Sequence, residues 1–174
     1  MVESTPERIA DVEYVPGRAF PEGCAPGADL AGRDFEGAGL AGASLSGANL
    51  AGASFRGANL AGARLDGADC TEADFTGANL ELAVLGGARL QRAVFKEANL
   101  QRANLVGVDG TGADFTGARL YYSRPGNACL REAVFRNADI TRAIFRRADV
   151  RHADFRGARG SANFENANRE GIKE

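Results

Sequence analysis

From Ala28 to Gly160 an apolar side chain recurs at every fifth position. Counted from Leu30, these positions (i) run 30, 35, 40 and on to 160. Leu, Phe, Ile or Val fills all of them except Cys70, Gly110, Pro125 and Gly160. Position i−2 is Ala except at Arg33, Val108 and Ser123, i−1 is often Asp or Asn, and i+2 is often Gly. The stretch Ala48-Asn49-Leu50-Ala51-Gly52 shows the unit cleanly. A helix repeats its faces every 3.6 residues and a strand every two, so neither carries a period of five.

A longer period accounts for it. Phe35, Phe55, Phe75, Phe95, Phe115, Phe135 and Phe155 occupy every fourth slot without a miss, while Leu40, Leu60, Leu80, Leu100, Leu120 and Ile140 form another such series. Four pentads therefore close one coil of twenty residues, and like stacks on like. A single coil cannot bury its inward side chains, but stacked coils can. Ala and the large residues alternate inward and fill a narrow lumen. Backbone groups then pair between coils about 4.8 Å apart, with Gly at corners that need positive φ. Counted over 28–160, this predicts nearly seven coils and a rod roughly 30 Å long at that spacing.

The A(D/N)LxG unit resembles the pentapeptide repeat family over 28–160. That resemblance implies an all-β fold, a right-handed quadrilateral parallel β-helix. It also implies a non-enzymatic protein-binding role. The best-understood relatives are bacterial quinolone-resistance proteins, which resemble duplex DNA in shape and charge and bind DNA gyrase or topoisomerase IV, shielding it from inhibitors.

The ends lie outside the rule. Residues 1–27 carry Pro6, Pro16, Pro21 and Pro26 and read as an N-terminal cap or flexible arm, with Val12–Phe20 placed to cover the first coil. The repeat region is expected over 28–165. Its register slips by one residue at Ala162 and Phe164, which puts Arg169 in the next inward slot, and a dry lumen rejects an unpaired charge. Residues 166–174 therefore read as a C-terminal tail or cap, or as part of a homodimer formed through the last coil. Inside the array, Val108/Gly110 and Ser123/Pro125 break the pattern without shifting Phe115 or Phe135.

Composition narrows the chemistry. Aromatic residues are 7% of the 174 and there is no Trp, too little bulk for an ordinary core, whereas 23 Gly fit a repetitive backbone. No long apolar run predicts a membrane span, and the N-terminus lacks the apolar segment of a secretory signal, so a cytoplasmic protein is expected. Cys24, Cys70 and Cys129 are scattered and odd in number, which points to reduced thiols rather than a disulfide framework or zinc site. The single histidine, His152, falls at a solvated corner, Cys70 at an inward slot and Cys129 at an outward one. No metal or cofactor is expected, and no constellation of catalytic groups is present.

The outer positions carry the remaining signal. Asp pairs recur every forty residues at Asp29/Asp34, Asp69/Asp74, Asp109/Asp114 and Asp149/Asp154. Asp and Asn side chains hold turns by bonding nearby backbone; the alternative is a regular anionic surface, for which Asp29, Asp34, Asp69 and Asp74 are the candidate contacts. Residues 1–100 carry a net charge of −6 and residues 101–174 a net of +4, so a mimic of DNA along the whole rod is not expected. Interleaved carboxylates argue against direct nucleic-acid binding. Tyr121, Tyr122 and Arg124 form a discrete candidate contact, because exposed aromatics beside Arg anchor partners. Two functions follow: engagement of a type II topoisomerase by partial DNA mimicry, implied by the resemblance, and a general interaction scaffold with another protein partner.

Overall fold

A computed structural model describes residues 26–174, together with the backbone of two short strands, β1 (Glu7–Ile9) and β2 (Val12–Tyr14). These two pair antiparallel, with Glu7 opposite Tyr14 and Ile9 opposite Val12. Apart from Pro26 and Gly27, the rest of the expected N-terminal cap, Cys24 included, lies outside the described residues.

From Asp29 onward the chain pairs with itself twenty residues later. Asp29 bridges Asn49, Asp34 bridges Ser54, Gly39 bridges Asn59 and Ser44 bridges Arg64, all parallel, and the series continues coil by coil. Four columns of bridges result, each contributed by the i−1 residues. The pairing is by isolated single-residue bridges; β1 and β2 are the only extended strands among the described residues.

Four kinds of backbone bond build each pentad; one runs from the i+2 N–H to the carbonyl nineteen residues on, as in Gly77 to Lys96 O at 2.8 Å. The N–H of residue i donates to the carbonyl nineteen residues on, as in Phe75 to Val94 O at 2.7 Å. The i−1 N–H donates back to the previous coil, as in Asp74 to Ala53 O at 2.9 Å. The corner closes when the N–H of i+3 donates to the carbonyl of i, as in Ala78 to Phe75 O at 3.0 Å. At that corner the i+2 residue has positive φ, for example 67° at Gly77, as the third residue of a type II turn requires.

The lumen holds the i and i−2 side chains. Phe55, Phe75, Phe95, Leu60, Leu80 and the intervening alanines are fully buried. Successive Phe rings stack nearly parallel, with centroids 4.9 Å apart for Phe55–Phe75 and 4.8 Å for Phe75–Phe95. A second column starts where Phe145 replaces Leu and stacks on Phe164 at 4.8 Å. At the first irregular slot a small and a large residue exchange places. Val108 is buried where Ala is usual, and Leu130 reaches into the space Gly110 leaves, so a Cβ on Gly110 would lie 2.9 Å from Leu130 Cδ2.

The ladder runs beyond the expected end at 165. After Gly160 the offset becomes nineteen: Ile144 bridges Asn163, Asp149 bridges Asn168 and Asp154 bridges Lys173. Gly160 makes the slip sterically feasible, since a Cβ there would sit 2.7 Å from Thr141 Cα. Arg169 is accommodated because no further coil covers it. It is exposed, its guanidinium lies 4.9 Å from the Phe164 ring centroid, and it pairs with Glu174. Residues 166–174 are thus laid along the ladder.

Candidate protein-interaction faces

The two columns that begin with Asp29 and Asp34 lie on adjacent sides of the rod. Asp29, Asn49, Asp69, Arg89, Asp109, Cys129 and Asp149 follow one another in the first, and Asp34, Ser54, Asp74, Val94, Asp114, Val134 and Asp154 in the second. Each Asp of these columns uses Oδ1 to accept from the backbone N–H two residues on, at 3.0 Å for Asp34–Glu36, 3.1 Å for Asp69–Thr71 and 2.9 Å for Asp74–Thr76. Where a Thr follows, its hydroxyl donates to the same oxygen, at 2.6 Å for Thr71 and 2.5 Å for Thr76. This is the turn-holding geometry of an Asx motif.

The second oxygen is engaged as well. Asp74 Oδ2 lies 2.8 Å from Arg56 and Asp69 Oδ2 3.4 Å from Arg89, while at Asp29 the Asn49 amide donates at 2.8 Å to the same Oδ1 that holds the turn. Burial pushes the Asp69 and Asp74 carboxyls up, but the bonds from Thr71 and Thr76 and the nearby Arg89 and Arg56 charges bring both below the usual value. Toward the C-terminus the neutralisation is complete. Asp154 is only 5% exposed and is gripped by Arg156 through Nε at 2.9 Å and Nη2 at 2.7 Å, with Arg136 Nε at 2.6 Å. Asp149 is held in the same way by Arg151 and Arg131. In both, the arginine hydrogen bonds hold the carboxyl far below its ordinary pKa.

Tyr121, Tyr122 and Arg124 belong to the diagonally opposite edge, so they do not form one site with Asp29, Asp34, Asp69 and Asp74. Tyr122 is exposed and meets Tyr121 edge-on at 4.6 Å. Arg142, one coil on, donates to the Tyr122 hydroxyl and lies over its ring. Arg124 is exposed and makes no side-chain ion pair among the described residues. The same edge holds Leu82 and Ile144, which with Tyr122 are the exposed large hydrophobics among the described residues. Val94 and Val134, in the Asp34 column, are half-buried.

The sequence pattern singled out the tyrosines but not Leu82 or Arg102. A signal existed. The corner column through these residues reads Gly42, Gly62, Leu82, Arg102, Tyr122, Arg142. Four successive coils therefore place a large side chain where Gly is usual, with φ between 56° and 60°.

Of the thiols, Cys70 is buried, and burial and the nearby Asp69 raise its pKa far above the usual value, whereas half-buried Cys129 has its sulfur 3.4 Å from Thr111 Oγ1. His152 is exposed at its corner. Among the described residues, no group of His, Cys, Asp or Glu is arranged to hold a metal ion, and no helix is long and apolar enough to cross a membrane.

The family model for pentapeptide repeats matches residues 27–60, 53–92, 88–123 and 126–157, with eight copies. Among solved structures, two trypsin-treated forms of QnrB1, a plasmid-mediated fluoroquinolone resistance protein, share the fold. One is 20% identical with a TM-score of 0.54, covering 91% of this chain and 88% of that one. The other is 19% identical with a TM-score of 0.51, covering 91% and 89%. HetL, a pentapeptide repeat protein involved in heterocyst differentiation regulation from Nostoc sp. strain PCC 7120, is 25% identical over 85% of this chain and 81% of that one, with a TM-score of 0.38. No curated protein sequence matches the chain.

Proposed function

Since the chain belongs to the pentapeptide repeat family, we propose that it is a right-handed quadrilateral β-helix acting as a non-enzymatic protein-binding scaffold, with its partner docked on the edge through Leu82, Tyr122 and Ile144. The observation that carries this reading is the gathering of all three exposed large hydrophobics on one edge of the rod. Apolar side chains left together on a surface mark interaction sites, and a Tyr beside Arg supplies an anchor. Affinity capture from extracts, comparing the native chain with Tyr122→Ala/Ile144→Ser, tests it. A partner retained by the native chain and lost by the variant supports the edge. A partner retained equally by both moves the docking surface elsewhere.

A second reading is engagement of a type II topoisomerase in a cytoplasm, by partial DNA mimicry through Asp29, Asp34, Asp69 and Asp74. The fold shared with QnrB1, a fluoroquinolone resistance protein, motivates it. The carboxylates it needs are occupied in part by their own turns and by Arg56 and Arg89, and duplex DNA carries a charge every ~1.7 Å of axis, far denser than these rows. The general scaffold is therefore preferred. A gyrase supercoiling assay with and without a fluoroquinolone separates the two. Inhibition or drug protection that weakens when the four Asp residues are neutralised supports the topoisomerase. No effect on the enzyme removes it.

A further inference from the structure

The C-terminal arginines divide into two populations. Arg131, Arg136, Arg151 and Arg156 are committed to Asp149 and Asp154 on the acidic side of the rod. Along the Arg124 column and the corners that flank it, Arg102, Arg124 and Arg147 are exposed and have no side-chain ion pair or hydrogen bond among the described residues. Arg146 there shares only an exposed pair with Glu165 at 3.5 Å. Net positive charge on 101–174 is thus presented chiefly on the edge that also bears Tyr122 and Ile144.

That edge is also where the ladder opens. Pro125 has no N–H, so the bond its slot would give to Ile144 O is missing, and no bridge joins Arg124 to Ile144. The neighbouring bonds are stretched, Leu105 N to Arg124 O at 3.2 Å and Val108 N to Leu105 O at 3.4 Å. A notch of about 290 Å³ lies here, bordered by Val106, Ile144 and the three arginines Arg124, Arg146 and Arg147. It offers a carbonyl without a donor, an apolar wall and a cationic rim.

At the corner beside the notch, large side chains replace Gly in four successive coils. Leu82, Arg102, Tyr122 and Arg142 hold left-handed backbone at φ 60°, 57°, 56° and 59° where Gly stands in the first coils. A non-glycine residue is disfavoured there, because its Cβ crowds the following carbonyl oxygen. At Glu72 and Arg92, on another corner, an ion pair links the two strained residues. Leu82, in the same backbone state, is 55% exposed.

We infer that this edge docks an acidic protein segment, whose carboxylates meet Arg124, Arg147 and Arg102 while an apolar or aromatic side chain packs against Ile144, Tyr122 and Leu82. The inference deepens the scaffold reading above and rests on it. Charge complementarity selects an anionic partner. The exposed aliphatic side chains and the free carbonyl select a polypeptide, because phosphates offer nothing to an aliphatic surface and are repelled by a lone acceptor.

The test is fluorescence anisotropy on the full chain with two labelled probes, an acidic glutamate–tyrosine copolymer and a duplex oligonucleotide, after circular dichroism has verified each variant as folded. The copolymer is expected to bind, more weakly as salt rises. Arg124→Gln/Arg147→Gln should weaken it by about tenfold or more, in keeping with loss of two charge-assisted contacts. Leu82→Gly, which keeps the charge and relieves the backbone, should weaken it too. Arg131→Gln/Arg151→Gln carries the same charge change on the opposite side and should leave binding within about twofold. Equal loss from both arginine pairs, tighter binding of the duplex, or no binding of the copolymer overturns the inference. If the copolymer fails while partner capture still depends on Tyr122, the acidic occupant falls and the scaffold reading stands.

Discussion

The Arg142 guanidinium lies 5.1 Å from the centroid of the Tyr122 ring, one coil away, and donates to its hydroxyl. Both residues have positive φ, 59° and 56°, so each is held in a backbone state that suits Gly better. A cation–π contact at an exposed site contributes about 0.5–1 kcal/mol, enough to offset part of that strain. Leu82, in the same column, has a φ of 60° and is 55% exposed. Leu82→Gly is therefore expected to stabilise the fold by about 0.5–1 kcal/mol, whereas Tyr122→Gly should be close to neutral. Chemical denaturation of both variants checks this; a clear loss of stability in Leu82→Gly would show that its side chain packs against the coil.

Phe75 sits between Phe55 and Phe95 with no solvent exposure. Truncation to Ala removes a ring that neighbouring coils cannot move to replace, and should cost about 3–5 kcal/mol. Phe75→Asp places an unpaired charge in the same lumen and should abolish folding of the central coils. Circular dichroism and thermal melting read both. A Phe75→Asp chain that melted like the native protein would refute the inward Phe column.

How much of this is legible in the sequence depends on which neighbours a residue has. The Phe column is readable because stacking at one coil spacing forces a residue to meet its own counterpart, so the seven phenylalanines from Phe35 to Phe155 write the coil length into the chain. The turn role of Asp74 follows from its type and its place before a corner. The C-terminal end is not legible in this way. The rule that a lumen rejects Arg169 holds only for a coil covered on both sides, and the last coil is covered on one. The run of large corner residues at Leu82, Arg102, Tyr122 and Arg142 is visible only once the coil is closed and columns twenty residues apart are compared.

Asp74 illustrates a carboxylate with two duties. Its Oδ1 accepts from the N–H and hydroxyl of Thr76, and its Oδ2 pairs with Arg56. Were it purely a surface contact for a partner, Asp74→Ala would cost little. Because it holds a corner, the loss should be about 1 kcal/mol. Asp74→Asn, which keeps a side-chain oxygen for the Thr76 N–H, should recover most of it. Urea denaturation of the two variants distinguishes these outcomes, and equal stability of Asp74→Ala and the native chain would return Asp74 to the role of a free surface charge.

Asp154 supplies the pH dependence. Arg156 and Arg136 hold its carboxyl well below the ordinary aspartate pKa, and Arg151 and Arg131 do the same for Asp149. A carboxyl with a depressed pKa in the fold binds its proton more readily once the chain unfolds. Its contribution to stability is therefore complete above the unfolded value of about 3.9 and declines as pH falls below that value toward the folded pKa. The melting temperature should be flat in this respect through neutral pH and drop below about pH 4. Asp154→Asn keeps the shape but cannot ionise. It should melt lower than the native chain at neutral pH, because Arg136 and Arg156 lose their counter-charge, and the gap should narrow on acidification. A gap that stayed constant from neutral to acidic pH would show that packing, rather than the ion pairs, accounts for Asp154.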